Sequence, residues 1–252
     1  MAAHTIDIVL ATHTGLVRPD NQDYIKGDTD LGIAILADGM GGHRGGEVAS
    51  RHAVETAFSE LAASQRETES DATQSQMWIG HAVEVANRVL FDMARSEPDL
   101  SGMGTTLIAT IFRERRIFFG HVGDSRLYLL RRGRLQRMTK DHSLVQRLID
   151  DGIFANVSEA REAGIGENIL TRSLGMRQSA DIDLGAEELE PGDTFLICSD
   201  GLHGCVTDKE ISAILRDPGS NLDRQVIALI DAAINRGGPD NVSVVLARPR
   251  IR

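Results

Sequence analysis

Basic side chains are scarce in this chain: 27 Lys and Arg stand against 37 Asp and Glu, a formal charge of −10. Nucleic-acid and anionic-lipid surfaces bind through clustered Lys and Arg, which release counterions. The balance therefore predicts no nucleic-acid partner and no membrane surface. Cysteine is nearly absent, with only Cys198 and Cys205. This argues against a disulfide scaffold, and no His/Cys cluster has zinc-ligand spacing. No apolar run approaches the roughly 18 residues of a membrane span. The opening Met1-Ala2-Ala3-His4-Thr5-Ile6-Asp7 lacks the basic and apolar regions of a signal peptide. These absences predict a soluble, cytoplasmic protein, expected to be a monomer. What is present is ordinary for a globular chain of 252 residues, with 41% hydrophobic and 25% charged side chains. No composition break, internal repeat or low-complexity segment divides it, so residues 1–252 are expected to form a single domain.

Hydrophobic periodicity places the elements. Residues 6–11 and 32–37 read as strands, with a polar loop over 15–23 and a strand starting near Tyr24. Ala49, Ala53, Ala57 and Leu61 recur at helical spacing, and residues 64–75 read as a polar loop. Ile79, Ala82, Val83, Ala86, Leu90 and Met93 form the stripe of a second helix. Strands follow over 105–112, 116–122 and 126–130, joined by short hairpin links. Ser143 with Gln146 has capping-box spacing and starts a helix ending at Asp151-Gly152. Residues 153–168 show no clear stripe. Strands are expected near Ile169, near Ile182 and over 194–198. Thr207 with Glu210 caps another helix, Leu222 to Ala233 carries the last amphipathic stripe, and residues 242–247 form a final strand. Runs of strands without intervening helices mean antiparallel sheets, hence an α+β protein with helices packed outside the sheets.

The chemistry lies where apolar strands stop. Residues 34–37 lead into Asp38-Gly39-Met40-Gly41-Gly42. Phe195-Leu196-Ile197-Cys198-Ser199 leads into Asp200-Gly201, Phe118 to Gly123 leads into Asp124, and Asp240-Asn241 immediately precedes a strand. A carboxylate at the end of a buried strand is unfavourable unless it is hydrogen-bonded or holds a cation. Each alone is an ordinary turn residue, but four could converge at one edge of a sheet stack, where like charges need cations between them. An all-oxygen set suits Mg²⁺ or Mn²⁺. Two such ions about 3.5–4 Å apart can share a carboxylate and activate a water. Hydrolysis of a phosphate ester is the natural reaction of such a site.

The segments Arg18-Pro19-Asp20-Asn21-Gln22-Asp23, Asp38-Gly39-Met40-Gly41-Gly42, Ser101-Gly102-Met103-Gly104-Thr105-Thr106, Gly123-Asp124-Ser125-Arg126, Asp200-Gly201-Leu202 and Asp240-Asn241-Val242-Ser243 occur in this order. Together they resemble the motifs of the bacterial metal-dependent serine/threonine protein phosphatases of type 2C, over nearly the whole chain. The resemblance implies a β-sandwich of two antiparallel sheets flanked by pairs of antiparallel helices. It also implies hydrolysis of phosphoserine and phosphothreonine by a water or hydroxide bridging two Mn²⁺ or Mg²⁺ ions. By motif, Asp38 would bridge the ions, the Gly39 carbonyl would bind one, and Asp200 and Asp240 would hold the other. Asp124, shared with Asp200, matches the ligand of a third, weaker metal of bacterial members. Arg18 matches the arginine that grips the substrate phosphate. Asp23 and Gln22 stand at outer-shell positions, Gln22 where many relatives carry Glu, which predicts altered affinity at the second ion. Residues 144–174 correspond to the family's flap, and a Ser/Thr kinase is the expected opposing partner.

Met40 occupies the place of a histidine that serves eukaryotic members as general acid, and His43 in the same loop is the nearest replacement. His121 reads as a satisfied core or outer-shell histidine, and Cys198 as core packing. Asn241 would orient Asp240 or open the strand. The alternatives are a phosphatase dedicated to one phosphoprotein, a non-catalytic phosphoprotein-binding module of the same fold, and a nuclease, which the acidic charge disfavours.

Overall fold

The computed structural model describes residues 6–41, 45–64, 72–166 and 168–250. In chain order the strands are β1 (Ile6–His13), β2 (Asp23–Asp28), β3 (Ile33–Met40), β4 (Gly104–Thr105), β5 (Leu107–Arg113), β6 (Arg116–Val122), β7 (Arg126–Arg131), β8 (Arg134–Arg137), β9 (Asp183–Glu188), β10 (Thr194–Cys198) and β11 (Val242–Pro249). The α-helices are α1 (Gly45–Ser64), α2 (Ala72–Ser96), α3 (Leu144–Asp150), α4 (Val157–Glu162), α5 (Asp200–His203), α6 (Asp208–Leu215) and α7 (Leu222–Ile234). The strands form two antiparallel sheets, one in the order β1-β11-β10-β7-β8 and the other β2-β3-β5-β6-β9, with β4 paired to β3.

Successive side chains of a strand point to opposite faces, and in β3, β10 and β11 both faces are buried. On β3, Ala34 and Leu36 enter the layer between the sheets with Phe195, Ile197 and Val245. Ile33, Ile35 and Ala37 face the other way, onto Ala53 and Ala57 of α1 and Val83 and Ala86 of α2. On the opposite sheet, Leu196 and Cys198 of β10 and Val244 and Leu246 of β11 pack against Val226 and Leu229 of α7. Three parallel layers of apolar contact follow, giving the helix–sheet–sheet–helix sandwich. They also explain why β3, β10 and β11 are continuously apolar in sequence.

Local chemistry sets the ends. Arg132 at φ 51° and Gly133 at φ 75° turn β7 into β8, the left-handed pair of a two-residue hairpin. Thr207 and Glu210 form the expected capping box at α6. Ser143 caps α3 through the Gln146 N–H, but Gln146 sends its side chain to Asp150 instead of completing a box.

Several expectations need correction. α2 begins at Ala72, inside the stretch read as loop. The unassigned stretch contains α4, capped by the Asn156 side chain accepting from the Glu159 N–H. Near Ile169 there is no strand, only an isolated bridge between Ser143 and Leu170. Asp200-Gly201 does not simply turn: it opens the short helix α5.

No helix among the described residues is long and apolar enough to cross a membrane. The doubly buried strands should dominate stability. Leu36→Ala, at a side chain fully enclosed between the sheets, is expected to lower unfolding free energy by about 2–5 kcal/mol in urea titration. Ile227→Ala on the exposed side of α7 should stay within about 0.5 kcal/mol.

Candidate metal centre

All the strand-end carboxylates meet at one end of the sandwich. Asp23 opens β2 directly opposite Asp38 in the β2–β3 register. Asp124 lies in the crossing from β6 of one sheet to β7 of the other. Asp200 follows β10, and Asp240 precedes β11, its antiparallel neighbour. Asp38, Asp124, Asp200 and Asp240 line one cleft of about 560 Å³, together with Arg18, Gln22 and Gly39. Asn168 and Leu170 of the 144–174 segment also line it. Asp23 lies beneath, buried, and is not part of the lining.

Hydrogen bonds hold the carboxylates in place. The Asp38 N–H donates to Thr106 Oγ1 at 3.0 Å, and the Asp38 carbonyl accepts from the Thr106 N–H at 2.9 Å and Thr105 Oγ1 at 2.8 Å. Thr106 Oγ1 in turn meets Ser125 Oγ at 2.8 Å. Ser199 Oγ donates to Asp23 Oδ2 at 2.8 Å and accepts from the Ser243 N–H at 3.0 Å. Asn241 orients Asp240 through its backbone, whose N–H donates to Asp240 Oδ1 at 2.9 Å. Its side chain accepts from the Gln22 N–H and donates to the Thr14 and Asp20 carbonyls, tying the Arg18 loop to the strand. The hydroxyls of Thr105, Thr106 and Ser199 were not singled out as functional from sequence. Ser199 and Ser125 adjoin a strand-end Asp in the sequence, whereas Thr105 and Thr106 adjoin none.

Gly39 needs its missing side chain. A Cβ there would collide with the Gly46 carbonyl at the start of α1 and lie 2.7 Å from the Gln22 carbonyl. The bare backbone lets α1 close over the end of β3.

The electrostatics of the cluster are those of mutually repelling buried acids. Burial is the largest cause raising Asp38 well above the usual carboxylate range, although part of its side chain still faces the cleft. The charges of Asp23, Asp200, Asp124 and Asp240 add to it. Asp23 is pushed up to about 7 by burial, then by Asp200 and Asp240, against the hydroxyls of Ser243 and Ser199. Asp124 reaches about 7 through burial, Asp200 and Asp141. Asp200 is raised by burial and by Asp240, while a hydrogen bond with Asp38 and the charge of Arg18 oppose the shift. Arg18 answers this charge directly, donating from Nη2 to Asp240 Oδ2 at 2.7 Å. The buried Asp23 Oδ1 has no hydrogen-bond partner among the described residues. An all-oxygen donor set of mutually repelling acids, with an unpartnered oxygen behind it, fits hard divalent cations.

The other singled-out residues fall as follows. His43 lies outside the described residues. Cys198 is buried in the core, and burial pushes its thiol far above the usual range, as expected of packing and not of a nucleophile. His121 is buried, but it is not satisfied: neither ring nitrogen has a hydrogen-bond partner among the described residues.

The protein phosphatase 2C family pattern matches residues 11–225. A serine/threonine phosphatase, stp, of Listeria welshimeri is 36% identical over 240 residues, covering 93% of this chain and 92% of that one. The crystal structure of the Mycobacterium tuberculosis serine/threonine phosphatase PstP/Ppp superposes with a TM-score of 0.86 at 36% identity, over 97% of this chain and 98% of its own. The PstP catalytic domain in complex with two manganese ions superposes with a TM-score of 0.84 at 35% identity, over 98% of this chain and 99% of its own.

The raised carboxyl values fix a sign for stability. The folded state keeps protons that the unfolded chain releases near about pH 4. Stability is therefore full below that pH and falls as pH rises toward about 7, where Asp23 and Asp124 ionise in the fold. In EDTA, the melting temperature should fall between pH 5 and pH 8. Asp38→Asn should melt higher than the unaltered chain at pH 8, with the gap closing at pH 5. Scanning calorimetry checks both, and a gap independent of pH would contradict the repulsion.

Proposed function

The chain belongs to the protein phosphatase 2C family, and we propose that its cleft of strand-end carboxylates is where phosphoserine and phosphothreonine of protein substrates are hydrolysed. It is a protein serine/threonine phosphatase, a hydrolase dependent on Mn²⁺ or Mg²⁺. In this reading Asp38, the Gly39 carbonyl, Asp200 and Asp240 would hold two ions. Asp124 with Asp200 would hold a third, and Asp23 and Gln22 would act through intervening water. The ions, when bound, lower the pKa of a coordinated water and neutralise charge on the phosphoryl group.

The chain's own side chains supply the rest. Arg18 spends one N–H on Asp240 and has further donors of its planar fork for two phosphate oxygens. Thr106 and Asn241 keep Asp38 and the Arg18 loop at fixed distance. Residues 144–174 act as a flap: Asn168 and Leu170 close one side of the cleft and select the peptide around the phosphorylated residue. His43 is the candidate donor to the leaving alkoxide. One domain carries all of this. We infer a cytoplasmic monomer that acts on phosphoproteins, opposed by a Ser/Thr kinase, and the acidic balance of the chain supports the absence of nucleic-acid and membrane contacts.

One observation carries the reading: Asp38, Asp124, Asp200 and Asp240, far apart in sequence, reach one cleft beside Arg18. With a phosphothreonine peptide and Mn²⁺, Asp38→Ala and Asp200→Ala should each lose on the order of a thousandfold in kcat/KM, the equivalent of several kcal/mol. Arg18→Ala should lose about 10–100-fold. Undiminished hydrolysis in excess EDTA, or in either Asp variant, would overturn the reading.

A further inference from the structure

The turn that carries Asp124 depends on a glycine and on a histidine far along the chain. Gly123 sits at φ 110°, and a Cβ there would lie 2.6 Å from the Thr106 Cβ. Neither the backbone angle nor the space admits a side chain, so the turn must be secured from outside. His142 secures it twice. Its backbone N–H donates to the Gly123 carbonyl at 2.8 Å, and its Nδ1 accepts from the Gly123 N–H at 3.1 Å. On the far side, His203 Nε2 lies 3.0 Å from the Asp124 carbonyl, to which it can only donate.

These bonds determine the His142 tautomer. Because Nδ1 accepts, the ring proton sits on Nε2, and Nε2 donates to Asp183 Oδ2 at 3.1 Å. Arg172 holds that carboxylate in turn, its Nη1 2.7 Å from Asp183 Oδ1 and its Nε 3.0 Å from Asp181 Oδ2. The His121 ring packs on the His142 ring, 4.5 Å between centroids and 35° apart, and Asp183 pairs with His121 across β6 and β9. The His142 carbonyl accepts from the Thr171 N–H at 2.8 Å, which links the same residue to the base of the 144–174 segment.

His121, His142 and Asp183 offer three possible ligand atoms within 4.8 Å of one another. An ion there would need the lone pair of His142 Nε2. The Gly123 N–H forbids the ring proton from moving to Nδ1, and Arg172 Nη1 already lies 3.2 Å from that nitrogen. The trio therefore holds a proton in place of a metal.

We infer that His142 is a positioning residue for the metal centre: the Asp183–His142–Gly123 relay fixes the Asp124 turn and so sets the affinity of the weakest cation site. The inference rests on the assignment of Asp124 as a ligand of that site. Partners that orient ligands in this way typically change metal affinity by about 10–100-fold when removed.

The test is equilibrium Mn²⁺ binding, read from the electron paramagnetic resonance of free Mn²⁺, with melting temperatures in EDTA as a check on folding. Asp124→Asn should remove the weakest site, which establishes the assignment independently. His142→Ala should weaken that site about 10–100-fold and leave the tighter sites unchanged. His142→Asn, whose amide oxygen falls near the position of Nδ1, should restore most of the affinity. His142→Gln, with its amide at the position of Nε2, should not, and it fills the space if the alanine variant fails to fold. If Asp124→Asn removes the site and both His142→Ala and His142→Gln leave it intact, the relay is wrong while the assignment stands. Equal weakening by the Asn and Gln variants would reduce His142 to packing and overturn the inference. Retention of the site in Asp124→Asn would overturn the assignment itself.

Discussion

The repulsion among five carboxyl groups at one end of a β-sandwich is the constraint around which the rest of this molecule is arranged. Asp23, Asp38, Asp124 and Asp200 all stand above their ordinary pKa, with burial the largest cause and neighbouring acids adding to it. A chain that gathers such groups gives up stability at neutral pH, which divalent cations held among them would return. The metal requirement of the family is thus already present in the electrostatics of the protein.

Holding acids together against their mutual field needs a rigid frame. The three apolar layers provide it, because β3, β10 and β11 are enclosed on both faces and cannot slip by one residue without exposing a core. The strand ends are then fastened to one another across the sheets. Ser199 joins Asp23 of one sheet to β11 of the other, and Thr106 with Ser125 joins Asp38 to the Asp124 turn. His142 and His203 secure that turn from outside. Stability of the sandwich and precision of the site are two results of the same packing.

Sequence exposed the acids and hid their neighbours. Asp38 and Asp200 were legible because a long apolar run stops abruptly at each, and the ordered motifs supplied their roles. Their convergence was less so, since it depends on a strand order that brings Ser199 beside Asp23 across 176 positions. Thr106, Ser199 and His142 carry no periodicity and gain meaning only from such distant partners. α4 escaped because six residues are too few for a stripe, although Asn156 and Glu159 mark its capped start. His121 looked like a satisfied core histidine, and only the packing shows that its neighbour His142 takes the hydrogen bonds.

The central claim is that the carboxylate cluster at the sandwich end, and not the nearby histidine group, binds the cations. Anomalous diffraction from crystals grown with Mn²⁺ tests it most directly. The account predicts at least two strong peaks among Asp38, Asp124, Asp200 and Asp240, and none between His121, His142 and Asp183. A peak at the histidines with none at the aspartates would contradict it.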